Sequence, residues 1–212
     1  MRHYTAFDRL LIGADIALRT LAGKPLASGR PYPAQNIDDT ELDASQRRHV
    51  AGLMRVDHAG EVSAQALYQG QALTARDETV RAKLEQSAIE ENDHLLWTEH
   101  RLHELGDRTS VLNPLWYAGS FAIGAFAGAL GDKWSLGFLA ETEHQVVRHL
   151  DEHLQQLPAE DRRSRAILEQ MKVDEAHHAT TAIDHGAAAL PLPVKKLMSA
   201  MSKVMTRSAY YL

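Results

Sequence analysis

Two segments of the sequence place an acid and an imidazole three residues apart. The segment "IEENDHLLW" contains Glu91 and His94, and "KVDEAHHATTAIDHG" contains Glu175 and His178. On an α-helix, residues three apart emerge within about 60° of each other and one turn apart, so each pair shares a face. His177 lies about 200° around the helix from Glu175 and points elsewhere. Each pair can therefore offer a carboxylate and an imidazole to one metal ion.

The neighbours of both pairs are apolar, which predicts that the pairs face the interior. A helix buries its apolar stripe, and a buried charge is costly unless it has a partner. A single Glu-x-x-His pair would usually belong to a solvated face, but two in one chain favour a shared buried site. The apolar neighbours are Leu84, Ala88 and Leu95 for the first pair, and Leu168, Met171, Ala179 and Ala182 for the second.

A lone inward glutamate precedes each pair. Glu61 lies in "RVDHAGEVSAQALY", with Met54, Ala64 and Tyr68 along its face. The segment "FLAETEHQVVRHL" offers both Glu141 and Glu143. Periodicity selects Glu143, which lies among leucines, whereas Glu141 continues a polar row.

The chain thus reads as two tandem halves, each a helix with one inward Glu followed by a helix with Glu-x-x-His. This ligand set is that of ferritin-like two-metal carboxylate bundles. Four glutamates would neutralise two divalent ions, which carboxylates can bridge at about 3.5 to 4 Å. Oxygen ligands with some imidazole suit iron or manganese, and we predict two iron ions because iron's redox chemistry uses oxygen.

Asp57 is a further candidate, one turn before Glu61 on the same side. It could accept a hydrogen bond from the outer N–H of a ligand histidine, or it could be a capping or surface aspartate. The sequence leaves the two readings open. Tyr68, two turns beyond Glu61, could lie near a substrate, although a packed tyrosine is the simpler reading.

Four long helices must position these residues. The pattern predicts helices from about 43 to 75, 77 to 105, 133 to 157 and 159 to 185, without alternating strands. Asp43 and Gln46 could form a capping box, and Gly106, Pro158 and Gly186 are typical stops. The fold class is therefore all-α, a ferritin-like four-helix bundle with extra N-terminal, central apolar and C-terminal helices.

The extra helices leave their partners open. Residues 1–36 are predicted as an amphipathic helix, with an apolar stripe from Phe7 to Leu21, and a Pro/Gly linker; residues 37–212 form the bundle. The uncharged segment 114–131 is short for a membrane span and reads as a buried helix, or as one dipping into a leaflet or lining an apolar substrate entrance. The C-terminal helix carries an apolar stripe opposite Lys195, Lys196, Lys203 and Arg207, which favours packing on the bundle, with contact to anionic lipid as the rival.

Composition excludes several classes of protein. The chain has 212 residues, no cysteine and a net charge of -5. Without cysteine there are no disulfides, thiolate metal sites or cysteine-ligated iron–sulfur clusters, and no global positive field argues for nucleic acid. The N-terminus lacks the pattern of a secretory signal, so we expect the protein to stay in the cytoplasm.

The sequence resembles the demethoxyubiquinone hydroxylase family of ubiquinone biosynthesis, in its bacterial form, from about Arg47 to the C-terminus. The resemblance rests on "RVDHAGEVSAQALYQGQ", "EENDHL", "PLWYAGSFAIGAFAGALGDKWSLGF", "ETEH" and "DEAHH". It implies a di-iron monooxygenase that hydroxylates 2-polyprenyl-3-methyl-6-methoxy-1,4-benzoquinol with O2. The implied partners are the cytoplasmic face of the cell membrane, contacted peripherally, and other ubiquinone-biosynthesis proteins. The family's iron ligands fall on Glu61, Glu91, His94, Glu143, Glu175 and His178, the six residues selected by spacing.

Other functions fit the sequence less well. Iron storage is disfavoured by the apolar central segment, and a rubrerythrin-type peroxidase would normally carry a four-cysteine iron module. The radical subunit of ribonucleotide reductase is generally much longer. From another class, a metal-free helical scaffold on the membrane would pair its Glu and His residues with one another.

Overall fold

The computed structural model describes residues 5–212, and this part of the chain is all-α, as predicted. Residues 1–4, and the side chains of Phe7 and Leu10 in the predicted N-terminal stripe, lie outside the described residues. The helices are α1 (Ala6–Ala22), α2 (Ala44–Thr74), α3 (Glu78–Glu104), α4 (Asn113–Ala129), α5 (Asp132–Gln156), α6 (Arg162–Asp184) and α7 (Leu192–Ala209).

Local hydrogen bonds set the helix ends. The Asp43 carboxylate accepts hydrogen bonds from the backbone N–H groups of Ser45 and Gln46, and the side-chain oxygen of Gln46 accepts one from the backbone N–H of Asp43. The predicted capping box is therefore confirmed. Gly106 follows α3 with a φ of 73°, a left-handed conformation that glycine adopts without strain. Helix α6 begins three residues later than predicted because the segment after Pro158 forms a turn, and Asp161 then caps α6 through the N–H of Ser164.

Helices α2, α3, α5 and α6 form the central bundle, with an apolar cluster at each end. One cluster joins the start of α2 and α6 to the end of α3 and α5, and includes Met54, Leu102, Leu150 and Leu168. The other joins the opposite ends, and includes Tyr68, Leu84, Leu136 and Ala182. Helices α2 and α6 therefore run in one direction and α3 and α5 in the other, and all six predicted ligands lie along them between the two clusters.

The apolar segment forms α4, which lies against α2 at a close backbone approach. A side chain at Gly70 of α2 or at Gly124 of α4 would collide with the other helix's backbone. The prediction that this segment is a buried helix is therefore confirmed for the side of α4 that faces α2. The opposite side of α4 is open, and exposes Leu115, Phe126 and Leu130.

The apolar stripes predicted on α1 and α7 are only partly buried: some of their side chains pack against the protein and others are exposed to solvent. On α1, Ala17 and Leu21 pack against the core, while Leu11 and Leu18 are exposed. On α7, Met198 and Met205 are half-buried, with Met205 touching the Ser63 hydroxyl. The larger apolar face of α7 points outward, and consists of Leu197, Met201 and Val204.

The segment between α1 and α2 crosses the bundle as a strap. The backbone N–H of Ser28 donates to Asp93 at 2.9 Å, and Arg30 forms 2.7 Å ion pairs with Asp93 and Asp174. Ala34 is fully buried in the same cluster as Met54. A division of the chain at residue 36 stays a prediction, but this segment is tied to α3 and α6 by side chains.

Candidate metal centre

The structure brings the six predicted residues together in the middle of the bundle. None is more than 3% exposed. They are contributed by α2 (Glu61), α3 (Glu91, His94), α5 (Glu143) and α6 (Glu175, His178). His177 is exposed, and Glu141, although buried, turns toward Gln145, Arg148 and Lys195, so neither residue faces the cluster.

Glu91 and Glu175 occupy the centre, and each faces both histidines. One oxygen of Glu91 lies 3.0 Å from His94 Nδ1 and the other lies 3.1 Å from His178 Nδ1. The oxygens of Glu175 lie 3.1 Å from His94 Nδ1 and 3.3 Å from His178 Nδ1. Each of these two carboxylates therefore faces both imidazoles, and both would help to hold ions bound beside His94 and His178.

Glu61 and Glu143 lie on the two sides of this central pair. A Glu61 oxygen is 3.5 Å from His94 Nδ1. Glu143 accepts a 2.8 Å hydrogen bond from the Tyr68 hydroxyl, and the edge of the Tyr68 ring meets His178. Tyr68 is thus a packed tyrosine that also orients a candidate ligand.

The outer nitrogen of each histidine contacts a carboxylate from the opposite helix. His94 Nε2 on α3 lies 2.9 Å from Asp174 on α6, and His178 Nε2 on α6 lies 2.9 Å from Glu90 on α3. These contacts fix the rings with Nδ1 toward the centre. Sequence reasoning missed both acids, although the same signal marks each: an acid directly precedes the glutamate of each Glu-x-x-His pair.

Asp57 matches neither of its two predicted roles. It is buried, which excludes a surface aspartate, and it lies inside α2, which excludes a capping one. Its neighbours are His149 and His153 of α5 rather than a candidate ligand histidine. The reason is its position along α2: Asp57 lies one turn before Glu61, which moves it away from the six-residue cluster toward the end of the bundle that contains Met54.

Burial and mutual charge shift the acid–base equilibria of the cluster. Burial, together with the charge of Glu91, raises the pKa of Glu61, and burial with the charge of Glu175 raises the pKa of Glu143. Burial opposes ionisation of Glu91 too, but the charge of His94 and the bonds from both histidines outweigh it and hold its pKa well below the usual range. Burial disfavours charged imidazoles, yet the surrounding carboxylates raise the pKa of His94 and His178. Without metal, protons therefore serve as the counter-charge.

The donor set fits metal ions. Glu61, Glu91, His94 and Glu175 each offer a ligand atom within 4.8 Å of the others. Among the described residues, one oxygen each of Glu91, Glu143 and Glu175 is buried without a well-directed hydrogen bond. Unsatisfied buried oxygens are costly, and two divalent ions would satisfy them while balancing four carboxylates.

Metal loading should release protons and weaken as the pH falls. The ligands must bind as carboxylates and neutral imidazoles, but the raised pKa values of Glu61, Glu143, His94 and His178 favour their protonated forms. We expect the affinity for Fe²⁺ to fall at least about tenfold per pH unit from pH 8 to pH 6, since one or more protons leave per ion. Titration calorimetry in buffers of different ionisation enthalpy counts these protons. An affinity independent of pH would contradict this charge assignment.

A narrow cleft borders the edge of the cluster at His178. Its lining combines apolar side chains, among them Val80, Leu84, Leu136 and Leu139, with the polar residues Lys83, Ser87, Thr181 and His185. The space inside it is about that of one water molecule.

These features define a class: an all-α bundle protein with a buried cluster of carboxylates and histidines suited to metal ions. The sequence matches the family model described as "Ubiquinone biosynthesis protein COQ7" over residues 48–209. It is 61% identical to the 3-demethoxyubiquinol 3-hydroxylase of Azotobacter vinelandii, over 99% of this chain and 97% of the relative. It is 59% identical to the protein of the same name from Nitrosomonas eutropha, over 96% of this chain and 98% of the relative.

The chain therefore belongs to the COQ7 family of ubiquinone biosynthesis, as the sequence motifs indicated, and is a hydroxylase of that pathway. Among residues 5–212, no helix is both long enough and apolar enough to cross a membrane.

Proposed function

We propose that this protein is a di-iron monooxygenase that uses O2 to hydroxylate 2-polyprenyl-3-methyl-6-methoxy-1,4-benzoquinol. The observation that carries the proposal is the pair of buried carboxylates, Glu91 and Glu175, each of which faces both His94 and His178. Glu61 and Glu143 complete a position beside each imidazole. The relatives' name, 3-demethoxyubiquinol 3-hydroxylase, supports the substrate.

Iron, when bound, supplies the activation of O2 and the electrons for inserting one oxygen atom into the ring. The protein's residues hold the ions and keep the site dry. The apolar clusters at both ends of the bundle exclude bulk water from the centre. Tyr68 fixes one oxygen of Glu143 through its hydroxyl. The cleft beside His178 is too narrow for the quinol ring, so entry there would require its lining side chains to move apart.

The decisive experiment is a single turnover. Protein loaded anaerobically with Fe²⁺ is mixed with the demethoxyquinol and then exposed to O2, and the product is identified by mass spectrometry. We expect two irons per chain and one hydroxylated quinol carrying ¹⁸O from ¹⁸O2. Full activity in protein free of transition metal would end the proposal, as would the absence of product from fully iron-loaded protein.

Removing an outer carboxylate should weaken metal binding without removing a ligand. In Asp174→Asn or Glu90→Gln, the outer nitrogen of His94 or His178 loses its charged partner. We expect the affinity for Fe²⁺ to fall about 10–100-fold, measured by competition with a chelator. Asp184→Asn changes an exposed acid on the same helix as Asp174 and should leave the affinity unchanged. Equal affinities in all three variants would show that these contacts do not support the histidines.

We also propose that the protein binds the cytoplasmic face of the membrane peripherally. Apolar side chains are exposed on all three helices outside the central bundle, including Leu18 of α1, Phe126 of α4 and Leu197 of α7. Lys196, Lys203 and Arg207 add exposed positive charge on α7. Apolar side chains beside basic ones favour an anionic lipid surface.

Vesicle binding tests this surface. Burial of one leucine or valine contributes about 1.5–3 kcal/mol, so Leu197→Ser with Val204→Ser should weaken partition to anionic vesicles at least about tenfold in flotation assays. Val173→Ser on α6 removes an equally exposed valine from the central bundle and should have little effect. Equal loss in both proteins would show that the contact is not specific to α7.

A further inference from the structure

A second cluster of metal-binding side chains lies outside the six-residue centre. It consists of Asp57 on α2 and of His149 and His153, which are one turn apart on α5. His153 Nδ1 lies 2.8 Å and His149 Nε2 lies 3.6 Å from the same Asp57 oxygen. The two imidazole centroids are 3.8 Å apart, with their planes tilted by 60°. The three side chains therefore converge on one point between α2 and α5.

Four polar atoms of this cluster are buried without a hydrogen bond. Asp57 is 3% exposed and His153 is 5% exposed. Among the described residues, both oxygens of Asp57, Nε2 of His149 and Nδ1 of His153 have no hydrogen-bond partner. The contacts of Asp57 with His153 and His149 lie within ion-pair distance, but neither has the geometry of a hydrogen bond. Four unsatisfied atoms at one buried point are costly, because each has lost its hydration without compensation.

We propose that Asp57, His149 and His153 form a separate binding site for a single divalent transition metal ion, with Zn²⁺ as a fitting occupant. In a tetrahedral zinc site with bonds of about 2.1 Å, ligand atoms lie about 3.4 Å apart. The observed 2.8 Å and 3.6 Å bracket this value, so small side-chain shifts would admit the ion. The side chain of His149 is 26% exposed, which leaves a fourth position open to water. Two imidazoles and one carboxylate match common zinc and non-haem iron ligand sets.

The site is distinct from the six-residue centre. Asp57 lies four residues before Glu61, about 6 Å along α2, and His149 lies six residues after Glu143, about 9 Å along α5. None of its three ligands belongs to the other cluster. An ion here would join α2 to α5, which belong to the first and second tandem halves of the bundle.

The test is to locate zinc in the full-length, iron-loaded protein. Zn²⁺ is added anaerobically, unbound metal is removed, and iron and zinc are counted separately by mass spectrometry. Crystals are then measured at the zinc and iron absorption edges. We expect one zinc per chain and an anomalous zinc peak between Asp57 and His153. Zinc peaks confined to the six-residue centre or to the surface would overturn the proposal, whatever the iron content.

Matched variants check the ligands. His153→Gln and His149→Gln should each lose one equivalent of zinc, whereas His144→Gln, which changes an exposed histidine of α5, should retain it. Circular dichroism confirms that each variant is folded, and the zinc peak in the unaltered protein does not depend on variant folding. An unchanged zinc count in both ligand variants would contradict the assignment. Because iron is counted independently, failure of the di-iron proposal would appear separately, as missing iron.

Discussion

Glu91→Gln should lose both irons together and should reduce quinol hydroxylation more than about 100-fold, beyond the effect of removing an outer carboxylate. Glu91 places one oxygen toward His94 and the other toward His178, so a neutral amide deprives both metal positions of a charged ligand at once. In addition, the side-chain NH2 group of the new glutamine is a hydrogen-bond donor and not a metal ligand, and it would face an imidazole or a metal ion. Iron per chain after desalting and single-turnover product are the two measurements.

Glu85→Gln is the matched control for this prediction. Glu85 lies on the same helix but is exposed, and the substitution should leave two irons and normal turnover. Glu175→Gln, which alters the other central carboxylate, should repeat the loss and guards against a folding defect peculiar to Glu91. Retention of two irons in both central variants would show that these carboxylates do not bridge metals.

Helical periodicity predicted that the six side chains face the interior, because that direction depends only on the residue pattern of each helix. Glu143 and Glu141 are two residues apart, and only the surrounding leucines distinguish them. The structure buries both, but Glu143 lies in the six-residue cluster and Glu141 pairs with Lys195. The direction of each side chain relative to its own apolar stripe is thus a local property. It is encoded wherever a helix has a clear apolar face.

Contacts between helices were not predictable in the same way. Asp174 and Glu90 flank the inward face of their own helices, so periodicity treats them as border residues. Their role arises from the packing of α3 against α6, which brings each acid to the other helix's histidine. Asp57 shows the converse: its direction was predicted, but its height on α2 sets its partners, and these are on α5. Single-sequence reasoning fixes the angle around a helix better than the height at which helices meet.

The surface helices show a similar division. The sequence predicted that α1 and α7 are amphipathic, and the structure has these helices. Their docking places small or flexible residues such as Ala17 and Met205 inward, and leaves Leu18 and Leu197 exposed. An apolar stripe identifies a face that avoids water, but both a protein core and a lipid surface satisfy it.

His178→Ala should remove iron from the position beside Glu143 and reduce hydroxylation more than about 100-fold, whereas His177→Ala should change activity less than about twofold. The two histidines are adjacent in sequence and identical in chemistry, so the comparison isolates direction. His178 is 3% exposed, with Nδ1 within 3.3 Å of both central carboxylates, and His177 is on the outside of α6. Loss of His178 also leaves Glu90 without its imidazole partner.

The amount of iron that remains bound distinguishes the loss of one metal position from general unfolding. In His178→Ala, the position formed by Glu61 and His94 keeps its imidazole, so a reduced content of about one iron per chain is expected, with helical content preserved. Mössbauer spectra should then show an isolated ferrous ion in place of a coupled pair. Equal losses in the two histidine variants would mean that the inward orientation of His178 does not matter for metal binding. Two irons and full activity in His178→Ala would remove the histidine from the site altogether.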